Sequence, residues 1–208
     1  MVTLDPKKMR VSEIYRLMIG AIVPRPIAWI STVSPKGVTN LAPFSYFNAV
    51  SSAPPCLSVS IAHKPDGSKK DTLRNIEALG EFVVQIPSVE HALNVNLTAA
   101  DFEYGVSEIE AAGLRTLPSD LIRPPRIADA KVQLECRLLH ALPVGAGGAG
   151  ATTLVVGEIV RFHFSEDVYG ADGTVRLEAL DPLSRLGGLA FGKTREAFEL
   201  PRVKPNAE

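Results

Sequence analysis

Residues 24–62 read PRPIAWISTVSPKGVTNLAPFSYFNAVSSAPPCLSVSIA, and this stretch decides the fold. Pro24 and Pro26 fix φ and force an extended entry. Ile27 to Val33 then reads as a strand. Ser34-Pro35-Lys36-Gly37 is a turn, with proline at its second position and glycine at its fourth. Val38 to Leu41 returns antiparallel, and Phe44 to Val50 continues the sheet. After the turn at Ser51–Pro55, Leu57, Val59 and Ile61 alternate with Ser58, Ser60 and Ala62. That period of two describes a half-buried strand with one small, hydroxyl-bearing face. Ser31, Thr32, Thr39, Asn40, Ser45 and Asn48 add further polar groups to otherwise apolar segments. Buried hydroxyls and amides need partners, so their density suggests a surface that holds a flat, polar ligand.

Working outward, residues 12–19 form a short amphipathic helix, with Ile14, Leu17, Met18 and Ala21 at helical spacing and Gly20 as its stop. Downstream, Asp71 serves as N-cap of a helix whose face is Leu73, Ile76 and Leu79, and Gly80 ends it. Phe82–Ile86 is a strand. Ser88 starts a helix through about Leu97, and Ser107 with Glu110 fits a capping box closed by Gly113. Leu114–Asp129 is Pro-rich and irregular. Lys131–Leu139 alternates Val132, Leu134, Cys136 and Leu138 with Gln133, Glu135 and Arg137. GAGGAG at 145–150 connects it to a long return strand, Thr152–Phe164, with a bulge at Gly157. Asp172-Gly173 is a further turn, and the tail begins near residue 192. Strands joined by short turns, with helices inserted between some, specify a mainly antiparallel barrel with peripheral helices and not a doubly wound sheet.

Composition narrows the function. The chain has 208 residues, the length of one domain spanning 1–208. Twenty-two Lys and Arg face 23 Asp and Glu, which leaves no basic face for nucleic acid. No apolar run approaches the ~20 residues of a membrane span, and the N-terminus lacks a signal-peptide pattern, so the expected location is the cytoplasm. Cys56 and Cys136 stand alone without metal-ligand spacing and read as buried thiols. No GxSxG, HExxH, Walker A or strand–GxGxxG motif is present, and the four histidines are scattered. Two features carry chemistry. One is the hydroxyl-rich strand set. The other is Lys69-Lys70-Asp71-Thr72 at a helix start, where free N–H groups, a lysine and a hydroxyl suit a phosphate; the alternative is a plain helix start, with Asp71 as cap and solvated lysines. Flavin mononucleotide is a flat heteroaromatic with such a tail.

Five blocks carry a resemblance: PRPIAWIST, GVTNLAPFSYFN, PPCLSVSI, KKDTLRNI and PLSRLGG. In this order, over about Tyr15–Phe191, they resemble the flavin reductase-like family of FMN-binding split barrels. The resemblance implies a six-stranded antiparallel Greek-key split barrel and a homodimer with FMN near its interface. It implies hydride transfer from NADH or NADPH to the flavin, with reduced flavin supplied to a partner monooxygenase. A flavoredoxin-like electron carrier and a non-catalytic ligand-binding barrel are the alternatives. Carried over by motif, Thr32 and Asn40, Leu41, Ala42, Pro43, Phe44 and Ser45 contact the flavin edge and ribityl chain. Their backbone N–H groups face the charge that develops there. Tyr46, Phe47 and Asn48 lie beside the ring, Ser58 and Ser60 face the ribityl-phosphate, and Lys70 and Thr72 bind the phosphate. Arg185 and Gly187 of RLGG reach the site from near the interface. Relatives commonly follow RLGG with a tyrosine, where this chain has Leu189-Ala190-Phe191.

Overall fold

The computed structural model describes residues 1–145, 147 and 150–202. In chain order the elements are α1 (Val11–Ala21), β1 (Arg25–Pro26), β2 (Ala28–Val33), β3 (Thr39–Phe44), β4 (Phe47–Ser52) and β5 (Pro55–Ala62). Next come α2 (Asp71–Leu79), β6 (Glu81–Gln85), α3 (Ala92–Leu97), α4 (Glu108–Ala111), β7 (Thr116–Leu117) and β8 (Arg126–Ile127). The chain finishes with β9 (Val132–Val144), β10 (Thr152–Phe164), α5 (Leu177–Leu180), β11 (Leu183–Arg185) and β12 (Phe191–Lys193).

The main sheet has seven strands, one more than the six expected, in the order β3-β2-β6-β9-β10-β5-β4. Every pairing in it is antiparallel. β3 also approaches β5, so the sheet curls towards closure. β1, β11 and β12 form a small second sheet, which draws residues 192 and 193 out of the expected tail.

β2 explains why PRPIAWIST is so apolar. Successive side chains of a strand point to opposite faces, and both faces of β2 are covered. Ala28 and Ile30 join the main core with Leu57, Val59, Ile61, Leu73, Ile76 and Phe82. Ile27 and Trp29 join a second core with Leu41, Val95, Ile109 and Ile127. Trp29 is fully buried, and its indole N–H donates to Thr98 Oγ1 at 2.9 Å, the partner a buried tryptophan needs.

Several boundaries differ from the sequence reading. α1 continues through Gly20 to Ala21. Phe44 closes β3 instead of opening the next strand. Asp71 is the first residue of α2, and Lys70 occupies the cap position. Leu114–Asp129 carries the small β7–β8 ladder. β9 extends to Val144, which pairs with Thr152. Of the GAGGAG connection, 146, 148 and 149 lie outside the described residues, as do 203–208. The register of β10 against β9 shifts at Val156/Gly157, the expected bulge. Both cysteines are free and buried. Among the described residues no helix is long and apolar enough to cross a membrane.

Candidate functional site

The end of β3 and the two residues after it stand between three hollows. Pro43 and Phe44 line all three. The turn from β3 into β4 therefore presents one short segment to space on several sides.

The first hollow, about 210 Å³, is polar, and the start of α2 forms its floor. α2 has no side-chain cap, and its first-turn N–H groups have no acceptor within the helix. They are available to an anion, which the helix dipole also favours. The neighbouring lysines differ. Lys69 Nζ is held by both Glu77 carboxylate oxygens at 2.8 and 2.7 Å. Lys64 lies 3.9 Å from Asp71. Lys70 forms no ion pair among the described residues and lines this hollow. Thr72 Oγ1 accepts from Asn40 Nδ2 at 2.9 Å, which leaves the threonine hydrogen to donate. Glu108 closes the hollow, and its Oε2 accepts the Leu41 N–H at 3.0 Å. Burial pushes the Glu108 carboxyl above the ordinary carboxylate range.

The second hollow, about 420 Å³, is mainly apolar. Val11, Ile14, Tyr15 and Met18 of α1 form one wall, and Pro43–Tyr46, Ser60 and Lys70 form the other. The third, about 140 Å³, lies between Pro43–Ser45 and the residues Arg185 and Phe191. Arg185 sits over the Phe191 ring at 4.5 Å and donates to the Ala190 carbonyl at 2.8 Å. The phenylalanine thus forms one flank of this hollow.

The structure brings together Asn40, Ala42, Pro43, Phe44, Ser45, Tyr46, Ser60, Lys70, Thr72 and Arg185 around these hollows. Other expected residues lie elsewhere. Thr32 is fully buried and accepts from Asn75 Nδ2 at 3.0 Å. The Leu41 side chain belongs to the second core, and its N–H is already given to Glu108. Phe47 packs against the main core. Asn48 is exposed on the edge strand, where its Oδ1 accepts the Ala49 N–H at 2.9 Å. Ser58 sits mid-ladder between Asn48 and Val156. Gly187 touches α1 instead of a hollow: a Cβ there would stand 3.3 Å from Gly20 Cα.

Sequence reading missed Glu108, Lys64 and Arg25. The capping box located the start of α4 but gave no reason to aim Glu108 inward. Arg25, between two prolines in an apolar run, was the one available signal.

The flavin reductase like domain family matches residues 19–183. Nitrilotriacetate monooxygenase component B from Bacillus cereus superposes with a TM-score of 0.92 at 40% identity, over 96% of this chain and 98% of that one. The 2-nitrobenzoate 2-nitroreductase of Pseudomonas fluorescens gives 0.86 at 31% identity, over all of both chains. A Shewanella frigidimarina protein described as a flavin reductase with a split barrel domain shares the fold, with a TM-score of 0.83 at 20% identity over 95% and 96%.

Proposed function

The chain belongs to the flavin reductase-like family, and from that premise we propose that it binds FMN and reduces it with NADH or NADPH. The observation that supports this is the meeting of two surfaces at Pro43–Phe44. One is the polar corner at Lys70 and the α2 N-terminus; the other is a hydroxyl-bearing, mainly apolar cleft. The donor set fits the ligand. Uncapped helix N–H groups, the Lys70 ammonium and the Thr72 hydroxyl suit a phosphate dianion. Hollows of about 210 and 420 Å³ on either side of Phe44 suit a ring and its side chain.

When bound, the flavin supplies the chemistry, accepting a hydride from the reduced nicotinamide. The protein's residues position and shield. Lys70 and Thr72 anchor the phosphate, Ser45, Ser60 and Asn40 offer hydrogen bonds, and Pro43 and Phe44 give apolar surface. Val11, Ile14, Tyr15 and Met18 of α1 give the wider hollow an apolar wall. No side chain is assigned an acid–base role.

The same reading takes the protein as a cytoplasmic homodimer that supplies reduced flavin to a partner monooxygenase. Its fit to the component B structure supports the last point.

The test is an absorption spectrum with added FMN, followed by NADH and NADPH titration. The expected result is FMN binding at micromolar concentration and nicotinamide oxidation that depends on flavin. Absence of FMN binding overturns the reading. FMN binding without nicotinamide oxidation, but with reduction by a donor protein, selects the electron-carrier alternative.

A further inference from the structure

Among the described residues, no carboxylate neutralises the charge of Arg25. Its residue is only 5% exposed, and a buried charge is costly unless other groups replace its water. Among the described residues it takes part in no ion pair. Neutral acceptors surround it instead. Nη1 donates to the Ile19 and Ile22 carbonyls at 2.7 and 2.8 Å, Nη2 to the Leu186 carbonyl at 3.0 Å, and Nε to Ser45 Oγ at 3.3 Å. Four of the five guanidinium hydrogens are thereby used. Two of the acceptors belong to the C-terminal end of α1, where the helix dipole is negative.

Two consequences follow. First, one side chain ties together the three segments that wall the site: α1, the turn after β3, and RLGG. Second, Arg25 occupies one lone pair of Ser45 and places a positive charge behind it. With its oxygen accepting from Nε, the serine hydroxyl has its own hydrogen left to donate. Ser45 lines both the 140 and the 420 Å³ hollows. A hydroxyl donor backed by a full positive charge favours a ligand edge that carries negative charge.

We propose that Arg25 is a positioning and electrostatic residue of the flavin site. It holds Ser45 in place, with the hydroxyl hydrogen free to donate, and its charge biases the site towards the reduced, negatively charged flavin. The inference rests on the flavin reading above. A mere clamp between segments makes a different prediction, because loosening a clamp weakens both oxidation states of the ligand alike.

The test compares Arg25→Gln, Arg25→Lys and Ser45→Ala with the unaltered protein. Two quantities are measured: the affinity for oxidised FMN, by fluorescence quenching, and the midpoint potential of bound FMN, by dye-equilibrated spectroelectrochemistry. In Arg25→Gln, reduced FMN should lose about tenfold more affinity than oxidised FMN. For a two-electron couple that lowers the bound potential by about 30 mV. Arg25→Lys keeps the charge but loses the fork of bonds, so both affinities should fall while the potential stays near that of the unaltered protein. Ser45→Ala should shift the potential in the same direction as Arg25→Gln, by less. Equal losses for both oxidation states in Arg25→Gln, with an unshifted potential, overturn the inference. Should Arg25→Gln fail to fold, Ser45→Ala decides, and an unshifted potential there overturns it. Failure of the unaltered protein to bind FMN overturns the flavin reading itself, and this inference with it.

Discussion

Lys69 and Lys70 are adjacent and chemically identical, yet only one faces the site. Lys69 is spent on Glu77, one helical face away, whereas Lys70 precedes the first turn of α2 and borders two hollows. The phosphate assignment therefore makes an asymmetric prediction. Lys70→Ala combined with Thr72→Ala should weaken FMN binding by roughly 2–4 kcal/mol, the loss of two charge-assisted bonds. Riboflavin, which lacks the phosphate, should bind the double variant and the unaltered protein alike, and Lys69→Ala should leave both ligands unaffected. Isothermal titration with the two flavins checks this, and equal losses for both refute the phosphate role. At this scale the sequence was partly legible. The helix start and its lysine could be read because capping and dipole effects are local. The inward turn of Thr32 could not. Thr32 is polar and sits in a motif, but its side chain is fully buried against Asn75, 43 residues away. Arg25 hides for the same reason, since its partners Ile19, Ser45 and Leu186 meet only in the folded chain.

At the scale of elements, the β9–β10 hairpin shows what alternation can and cannot say. The period of two correctly separated Val132, Leu134 and Cys136 from Gln133 and Glu135. It did not reveal that the polar face is also buried. Gln133 is 5% and Glu135 0% exposed, because the segment ahead of β8 folds over Glu135 and Arg126, Ile127 and Ala130 bond Gln133. Glu135 accepts the N–H groups of Asp120 and Leu121 at 2.7 and 2.8 Å and a bond from His163 at 2.7 Å. Burial alone would raise the Glu135 carboxyl, but these bonds together hold it below the ordinary range. A strand pattern shows that a face is polar, not whether water or a loop answers it. The Gly157 bulge was legible, since a lone glycine inside a long strand marks either a bulge or a close approach. The structure adds the close approach. A Cβ at 157 would fall 2.4 Å from Phe82 Cζ and 3.0 Å from Cε1, and Phe82 is fully buried. Gly157→Ala should therefore destabilise the protein by about 1–3 kcal/mol through overpacking. In a chain of this size that lowers the melting temperature by about 2–4 °C per kcal/mol. Adding Phe82→Leu should recover part of the loss, giving a non-additive cycle in thermal denaturation. Strict additivity would show that the two residues do not press on each other.

For the whole molecule, the exposed apolar surface of α1 is the feature that one chain does not explain. Only Ile19 of its 11 residues is buried. Val11, Tyr15, Leu17 and Met18 are 57%, 55%, 49% and 43% exposed, and Ile22 and Val23 just beyond are 60% and 41%. An amphipathic helix buries its apolar face against a partner, and contiguous exposed apolar surface marks an interaction site. The helix also forms one wall of the 420 Å³ hollow, so whatever covers it helps to close the candidate site. A second copy of the chain is the occupant that the family resemblance implies. Sedimentation equilibrium at micromolar concentration should then give twice the 22.3 kDa chain mass. Leu17→Glu with Ile22→Glu places two charges on residues already exposed, so folding should survive while the dimer shifts to monomer. If dimerisation completes the cleft, FMN affinity should fall together with the dimer fraction as the protein is diluted, in the variant at higher concentration than in the unaltered protein. A sharp monomer in the unaltered protein excludes the dimer. A dimer that persists in the double variant with unchanged FMN affinity moves the interface away from α1, and the exposed helix then needs a different partner.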